Sequence, residues 1–290
     1  MRAVCVGECM VELAPAGGGL LQQGFAGDTF NTAWYLKRLR PDWQVDYLSA
    51  VGTDAISDAM LGFMAGAGIG TGHVARVSER TVGLYLISLA NGERSFSYWR
   101  GQSAARMLAD DPVRLAAALV GADVVLFSGI TLAILTPERR KVLLAALKAC
   151  GAKVAFDPNM RLRLWADRGE MAAAVAEAAG VADIALPSFD EETALQGDAD
   201  PQVTLARYLG LGAGTVVVKN GGGRMWAGDA AKVMPFDPAP VAPVDTTAAG
   251  DSFNAGFLAQ WMAGAGLADC LAEGAALAGR VIRQPGALVK

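Results

Sequence analysis

A single histidine, His73, serves the whole chain, so any catalytic triad or dyad built on imidazole would have to use that one residue, and none is expected. The four cysteines (Cys5, Cys9, Cys150 and Cys270) contain no Cys-x-x-Cys pair. Cys5 and Cys9 lie four apart, but with one histidine a structural zinc site has too few ligands. In a chain this long such cysteines read as reduced core residues, and a cytoplasmic location is expected. Charge is sparse at 19%, with 29 acidic against 25 basic side chains. A net charge of −4 and a pI near 5.1 argue against nucleic acid as a main partner, because phosphate-backbone binding needs a basic surface. A local basic pocket for a small anion stays open. Uninterrupted hydrophobic runs are also missing. The best membrane candidate, 115–135, is broken by Gly121, Asp123 and Gly129. Glu8 and Glu12 likewise interrupt the apolar N-terminus, which reads as a first strand rather than a leader. No membrane partner is expected.

The residues that are present are largely apolar. At 53% hydrophobic residues the 290-residue chain can bury a large core. Short apolar runs mark strands at Ala3–Gly7, Val45–Val51, Val124–Ser128, Lys153–Asp157, Ile184–Pro187 and Thr215–Lys219. Between several of them lie Ala- and Leu-rich stretches with helical spacing, such as Arg139–Cys150 and Glu170–Gly180. Continuous rather than alternating apolar strands indicate a mostly parallel sheet covered on both faces, hence a doubly wound α/β fold. Ligands in such sheets bind beyond the carboxyl ends of the strands, where Asp157, Ser188 and Lys219 fall.

One stretch breaks the rhythm. Thr81–Ala90 and Glu93–Arg100 flank Asn91-Gly92, a hairpin signal because both turn residues tolerate positive φ. Val82, Leu84 and Leu86 face one way and Tyr85, Ile87 and Leu89 the other. Both faces are therefore apolar and need cover, from a substrate and a second subunit or from the hairpin's own core. The proline-rich passage 236–243 positions the adjoining segment rather than dividing domains.

That segment reads Asp245-Thr246-Thr247-Ala248-Ala249-Gly250-Asp251-Ser252-Phe253-Asn254-Ala255-Gly256. Small residues lead into an aspartate where a turn becomes a helical pattern. Backbone N–H groups of such a turn, added to a helix N-terminus, suit an anion, above all a phosphate in transfer. Asp251 at the helix mouth can take the proton of an attacking hydroxyl. For a bare Gly-Asp the alternative is an ordinary helix cap. Phe253, Phe257 and Trp261, at i, i+4 and i+8, form a core stripe that would hold the helix rigid.

This string resembles the C-terminal signature of the ribokinase-like carbohydrate kinases of the phosphofructokinase-B type. Gly27-Asp28-Thr29-Phe30-Asn31-Thr32-Ala33 looks like the family's sugar-binding motif. Asp157-Pro158-Asn159, Pro187-Ser188-Phe189-Asp190-Glu191 and Lys219-Asn220-Gly221 come in the family's order. The forms Gly27-Asp28-Thr29-Phe30-Asn31, Tyr98-Trp99-Arg100 and Asp245–Asp251 are similar to those of 2-keto-3-deoxygluconate kinases. The resemblance implies one kinase domain over 1–290, with a small β lid from about 10–26 and 74–100 that is often shared in a homo-oligomer. It also implies ATP and Mg²⁺, with K⁺ as a further candidate.

Residue roles draw on the chemistry and on the resemblance together. Asp251 is the expected general base, an effect worth about 10²–10⁴ in rate. The backbone of Ala248, Ala249, Gly250 and Asp251 is the expected anion hole. Ala248 stands where many members of the family have glycine, so the turn is expected to have dihedrals that alanine accepts. Gly27, Asp28 and Asn31 are assigned to sugar hydroxyls, with a helix cap as the alternative for either polar residue. Arg100 and Arg161 are assigned to a sugar carboxylate, which a guanidinium fork matches, or else they are solvated surface residues. Tyr85, Tyr98 and Trp99 would shape that pocket, since Tyr98 and Arg100 share a strand face. By resemblance Asp157, Asn159, Ser188, Lys219, Asn220, Gly221 and Gly223 belong to the ATP side. Ala276 and Gly279 flank adenine there, with plain core packing as the alternative. Glu191 would reach Mg²⁺ through water, and Asp245 with Thr247 a monovalent cation. The competing expectations are a fructokinase or other hexose kinase and a non-catalytic sugar or nucleotide sensor. A dinucleotide-dependent oxidoreductase is a weaker alternative, because Gly7-Glu8-Cys9 after the first strand lacks the Gly-x-Gly-x-x-Gly spacing.

Overall fold

The computed structural model describes residues 1–90 and 93–289. Its strands are β1 (Arg2–Val6), β2 (Met10–Gly17), β3 (Leu20–Ala26), β4 (Gln44–Val51), β5 (Val74–Arg76), β6 (Leu84–Ala90), β7 (Glu93–Trp99), β8 (Val124–Ser128), β9 (Lys153–Asp157), β10 (Ile184–Ala185), β11 (Thr215–Val218), β12 (Met225–Gly228) and β13 (Val233–Phe236). They form a nine-stranded sheet in the order β13-β12-β11-β10-β9-β8-β1-β4-β5 and a four-stranded sheet in the order β3-β2-β6-β7. From β11 to β5 the large sheet is parallel, and β12 and β13 extend it antiparallel. This is the doubly wound α/β layout the apolar runs imply. The short strand β5, grouped by sequence with the small sheet, instead pairs with β4 through Ser49 and Val74.

The central strands are buried on both faces, which is why they read as unbroken apolar runs rather than alternating ones. Helices Asp28–Leu39, Ala55–Gly66, Ala249–Trp261 and Leu267–Val281 cover one face. Helices Pro112–Leu119, Pro137–Ala149, Arg168–Ala179 and Pro201–Gly210 cover the other. Aromatic contacts stitch each layer. Phe127 and Phe156, opposite one another on β8 and β9, stack at 4.8 Å, while Phe30 meets Tyr47 edge-on at 5.6 Å. Such pairs add about 0.5–1.5 kcal/mol each beyond their burial.

The small sheet crosses one end of this stack. Strands β6 and β7 pair antiparallel from Leu84↔Trp99 to Ala90↔Glu93. The Asn91-Gly92 turn expected between them lies outside the described residues. No helix among the described residues is long and apolar enough to cross a membrane.

Candidate active site

Strands β1, β8, β9, β10 and β11 all end at the same side of the sheet, and a cleft of ≈890 Å³ opens there. The small sheet contributes Tyr85, Phe96 and Tyr98 to its wall, and the turn 246–251 closes the opposite side.

Helix starts differ around the molecule. Asp54, Thr136, Asp167 and Asp200 cap helices with their side chains. The helices that begin on the cleft, at Asp28, Phe189 and Ala249, have no side-chain cap. Some of their first-turn N–H groups are taken locally, Thr29 by Asp28 Oδ1 (2.8 Å), Phe189 by the Lys219 carbonyl (2.8 Å) and Glu191 by the Ser188 carbonyl (3.1 Å), and those without such an acceptor are open to a ligand. At the last of these, Ser252 N–H returns to the Ala248 carbonyl (2.9 Å) and Ala249 N–H to Thr246 (3.2 Å). Gly250 and Asp251 are left as donors without an intrahelical acceptor.

Ala248 corrects an expectation. Its dihedrals are φ 59°, ψ 17°, the left-handed region rather than one that alanine accepts easily. A Cβ there costs roughly 1–2 kcal/mol. The turn stays in this shape because its flanks are tied. Asp245 Oδ1 accepts from Thr247 N–H (3.0 Å) and Thr247 Oγ1 (2.7 Å), and Oδ2 from Gly286 N–H (2.7 Å). Ser252 Oγ donates to the Ala248 carbonyl at 2.7 Å.

Asp251 sits in the first turn of the helix, at the floor of the cleft. Asn31 Nδ2 donates to its Oδ2 (2.7 Å), and Thr32 Oγ1 to its backbone carbonyl (3.1 Å). Burial pushes the carboxyl up to about 8, and the charge of Asp28 adds to the rise. Asn31's hydrogen bond pulls the other way, Asp157 pushes up again, and Lys219 pulls down. A carboxylate with such a value accepts a proton far more readily than a free one.

Below it lies a buried polar layer. Lys219 Nζ donates to Asp157 Oδ2 (2.7 Å) and Asn254 Oδ1 (3.2 Å), and Asn254 Nδ2 closes the triangle on Asp157 Oδ2 (2.6 Å). A Cβ added at Gly250 would stand 3.5 Å from the Lys219 ammonium, so the turn runs close to a fixed positive charge. Asn159, at φ 33°, passes Nδ2 to Asp28 Oδ2 at 2.8 Å. Gly27 is glycine for space: a Cβ would lie 2.1 Å from the Glu8 carbonyl.

The cleft therefore brings together Gly27, Asp28, Asn31, Tyr85, Tyr98, Arg100, Asp157, Asn159, Arg161, Ser188, Lys219, Glu191 and residues 246–251. Other expected residues lie elsewhere. Trp99 is 59% exposed and outside the cleft lining, because strand alternation turns it away from the side that carries Tyr98. Asn220, Gly221 and Gly223 build the tight turn between β11 and β12, with Gly223 N–H on the Asn220 carbonyl (2.7 Å), and do not line the cleft. Neither do Ala276, exposed on its helix, and Gly279, whose added Cβ would meet Val241 at 3.2 Å.

The metal candidates are also engaged. Glu191 takes Met160 N–H on one oxygen (2.8 Å) and ion-pairs with Arg161 through the other. Burial alone would depress the Arg161 guanidinium, yet the charge and hydrogen bond of Glu191, with the charges of Asp28 and Asp157, together hold the value above normal. No cluster of three or more acidic, histidine or cysteine ligands occurs among the described residues.

Sequence reasoning missed three contributors. Asn254 lies one turn after Asp251 inside the signature string, and helical spacing was the available signal. Arg163 holds its guanidinium 4.2 Å above the Tyr98 ring in the cleft wall, two residues beyond Arg161. Glu8 ion-pairs with Arg100, a contact across 92 residues with no local signature.

Residues 2–289 match the family model described as pfkB family carbohydrate kinase. The chain is 39% identical over 295 residues to the 2-dehydro-3-deoxygluconokinase of Haemophilus influenzae, covering 98% of this chain and 94% of that protein. It is 38% identical over 296 residues to the enzyme of the same name from Dickeya dadantii, covering 98% and 95%. The fold superposes on a fructokinase from Xylella fastidiosa solved with bound ATP, with TM-score 0.86, 22% identity, and coverage of 99% of this chain and 93% of that one. With residues 2–289 matching that family model, the chain belongs to the pfkB family of carbohydrate kinases.

Proposed function

We propose that this kinase transfers the γ-phosphoryl group of ATP to the terminal hydroxyl of 2-keto-3-deoxygluconate, the compound also called 2-dehydro-3-deoxygluconate. The observation that carries the reading is Asp251, with its raised basicity, beside an uncapped helix N-terminus in a cleft also lined by three arginines. The likeness to two enzymes named for that substrate supports it. Asp251 accepts the hydroxyl proton as the new P–O bond forms and the bond to ADP breaks. The N–H groups of Gly250 and Asp251 and the ammonium of Lys219 supply positive potential where phosphoryl charge develops. Asp28 and Asn31 orient the sugar hydroxyls. Arg100, Arg161 and Arg163 face the acid end, with Tyr85 and Tyr98 packing the sugar between.

Mg²⁺, when bound, would screen the phosphate oxygens. Glu191 is its outer ligand in this proposal, after Arg161 releases it. A monovalent cation at Asp245 and Thr247 gains no support, because Asp245 already ties Thr247 and Gly286. The small sheet acts as the lid, and its outer face, with Trp99 exposed beside Leu84, joins a second copy. Light scattering showing a pure monomer would remove that part. Four unpaired cysteines, three of them buried, support a reducing compartment such as the cytoplasm.

The test of substrate is ADP release with Mg-ATP across 2-keto-3-deoxygluconate, gluconate, fructose, ribose and adenosine. Turnover of the keto acid alone, weakened in Arg161→Ala, is expected. Turnover of fructose alone would keep the chemistry and overturn the acid pocket.

A further inference from the structure

Behind the cleft wall lies an acidic side chain that the proposed reaction does not use. Glu8 lies two residues past β1, and its path is fixed on both sides. A Cβ on Gly7 would meet Thr29 Oγ1 at 2.3 Å, and one on Gly27 would meet the Glu8 carbonyl at 2.1 Å. The Glu8 side chain is fully buried and accepts from Arg100 Nη2, while Arg100 is itself 8% exposed and reaches the cleft.

Stability is a poor reason for this pair. Removing two charges from water costs several kcal/mol per ion unless further hydrogen bonds complete them. The protein's own groups do not supply that completion here, since Glu8 Oε1, Arg100 Nε and Ser103 Oγ are buried with no partner among the described residues. A buried pair that the surrounding protein leaves incomplete calls for a reason beyond stability. The neighbourhood is also shaped to hold it. A Cβ on Gly83 would lie 2.7 Å from Glu8 Oε1 and 3.2 Å from Arg100 Cβ. Glycine at 83 leaves the pair its room.

We infer that Glu8 is the positioning residue for sugar recognition, pinning Arg100 from behind so that its guanidinium meets the polar end of the sugar at one place and angle. A planar fork contributes to selectivity only when its orientation is held, and one anchored nitrogen holds it. Glu8 also balances the charge of Arg100 while no substrate is present, so the arginine can stay buried and preorganised. The inference rests on the kinase reading of the cleft but not on which sugar is the substrate.

The experiment compares wild type, Glu8→Gln, Gly83→Ala, Arg100→Ala and the Glu8→Gln/Arg100→Ala double variant. Each is assayed on the sugar that wild type phosphorylates fastest. Glu8→Gln should raise KM for that sugar about tenfold or more. KM for ATP and kcat should move by less than about threefold, a split that general loosening of the fold would not give. Gly83→Ala, which displaces the pair without changing its charge, should move the sugar KM in the same direction. With Arg100 already removed, Glu8→Gln should add nothing. An unchanged sugar KM in Glu8→Gln would overturn the inference, as would an equal effect with and without Arg100. Should Glu8→Gln fail to fold, Gly83→Ala decides by the same KM split. Wild-type turnover of neutral sugars only would defeat the acid-substrate reading and leave this test intact.

Discussion

Raising the pH should switch this kinase on through Asp251. Burial, and after it the Asp28 charge, lift its carboxyl to about 8. At pH 7 roughly one free molecule in ten then carries the ionised base, and at pH 6 about one in a hundred. The value of kcat/KM for the sugar should therefore climb nearly tenfold per unit between about pH 6 and 7, and level off above about 9. Asp28→Asn removes a like charge and should move the midpoint down by about one unit. Asn31→Leu removes the donor that favours the ionised form and should move it up. Initial rates of ADP release at subsaturating sugar measure both shifts. A flat profile across this range, or a midpoint that rises in Asp28→Asn, would refute the reasoning. The same perturbation has a stability side. The unfolded carboxyl ionises near 3.9, so this group's stabilising contribution is full below about pH 4 and is lost as the pH rises through about 8. Asp251→Asn removes that dependence and should gain up to about 4 kcal/mol at neutral pH, seen as a higher Tm.

Three further substitutions probe the scaffold. Ala248→Gly relieves the left-handed alanine and should stabilise the fold by about 1 kcal/mol in urea unfolding, with turnover retained. Gly256→Ala should destabilise by about 1–3 kcal/mol, because its Cβ would lie 2.8 Å from the Glu273 carbonyl and 2.9 Å from Gly274 Cα where two helices cross. Wild-type unfolding in that variant would show that the crossing yields. Lys219→Met strands the buried Asp157 carboxylate and should cost about 3–5 kcal/mol, much of it recovered when Asp157→Leu is added. An uncorrected loss in the double variant would place the damage outside the pair.

The core was legible because its strands are buried on both faces and so spell themselves as apolar runs. Val124–Ser128 and Lys153–Asp157 match residue for residue. The run from Ile184 stops earlier than its hydrophobicity implies, since Pro187 has no N–H to continue the ladder. Strands β12 and β13 were missed. They are four residues each, and Pro235 sits in the outermost, a position only an edge strand tolerates. At the site, Asp251, Asp28 and Asn31 were readable from their strings, whereas the Glu8–Arg100 pair joins distant segments through a contact that no local pattern records. Alternation already placed Trp99 opposite Tyr98, so its assignment to the pocket conflicted with the argument used for Arg100. Ala248 hid its conformation because a left-handed position is ordinarily announced by glycine.

The most direct test is ADP release on 2-keto-3-deoxygluconate with Mg-ATP, comparing wild type with Asp251→Asn at a pH of about 8.5. The account predicts turnover in wild type and a kcat lower by about 10²-fold or more in the variant, with KM for the sugar little changed. A variant that turns over at the wild-type rate would contradict it, because the proton would then leave the sugar without Asp251.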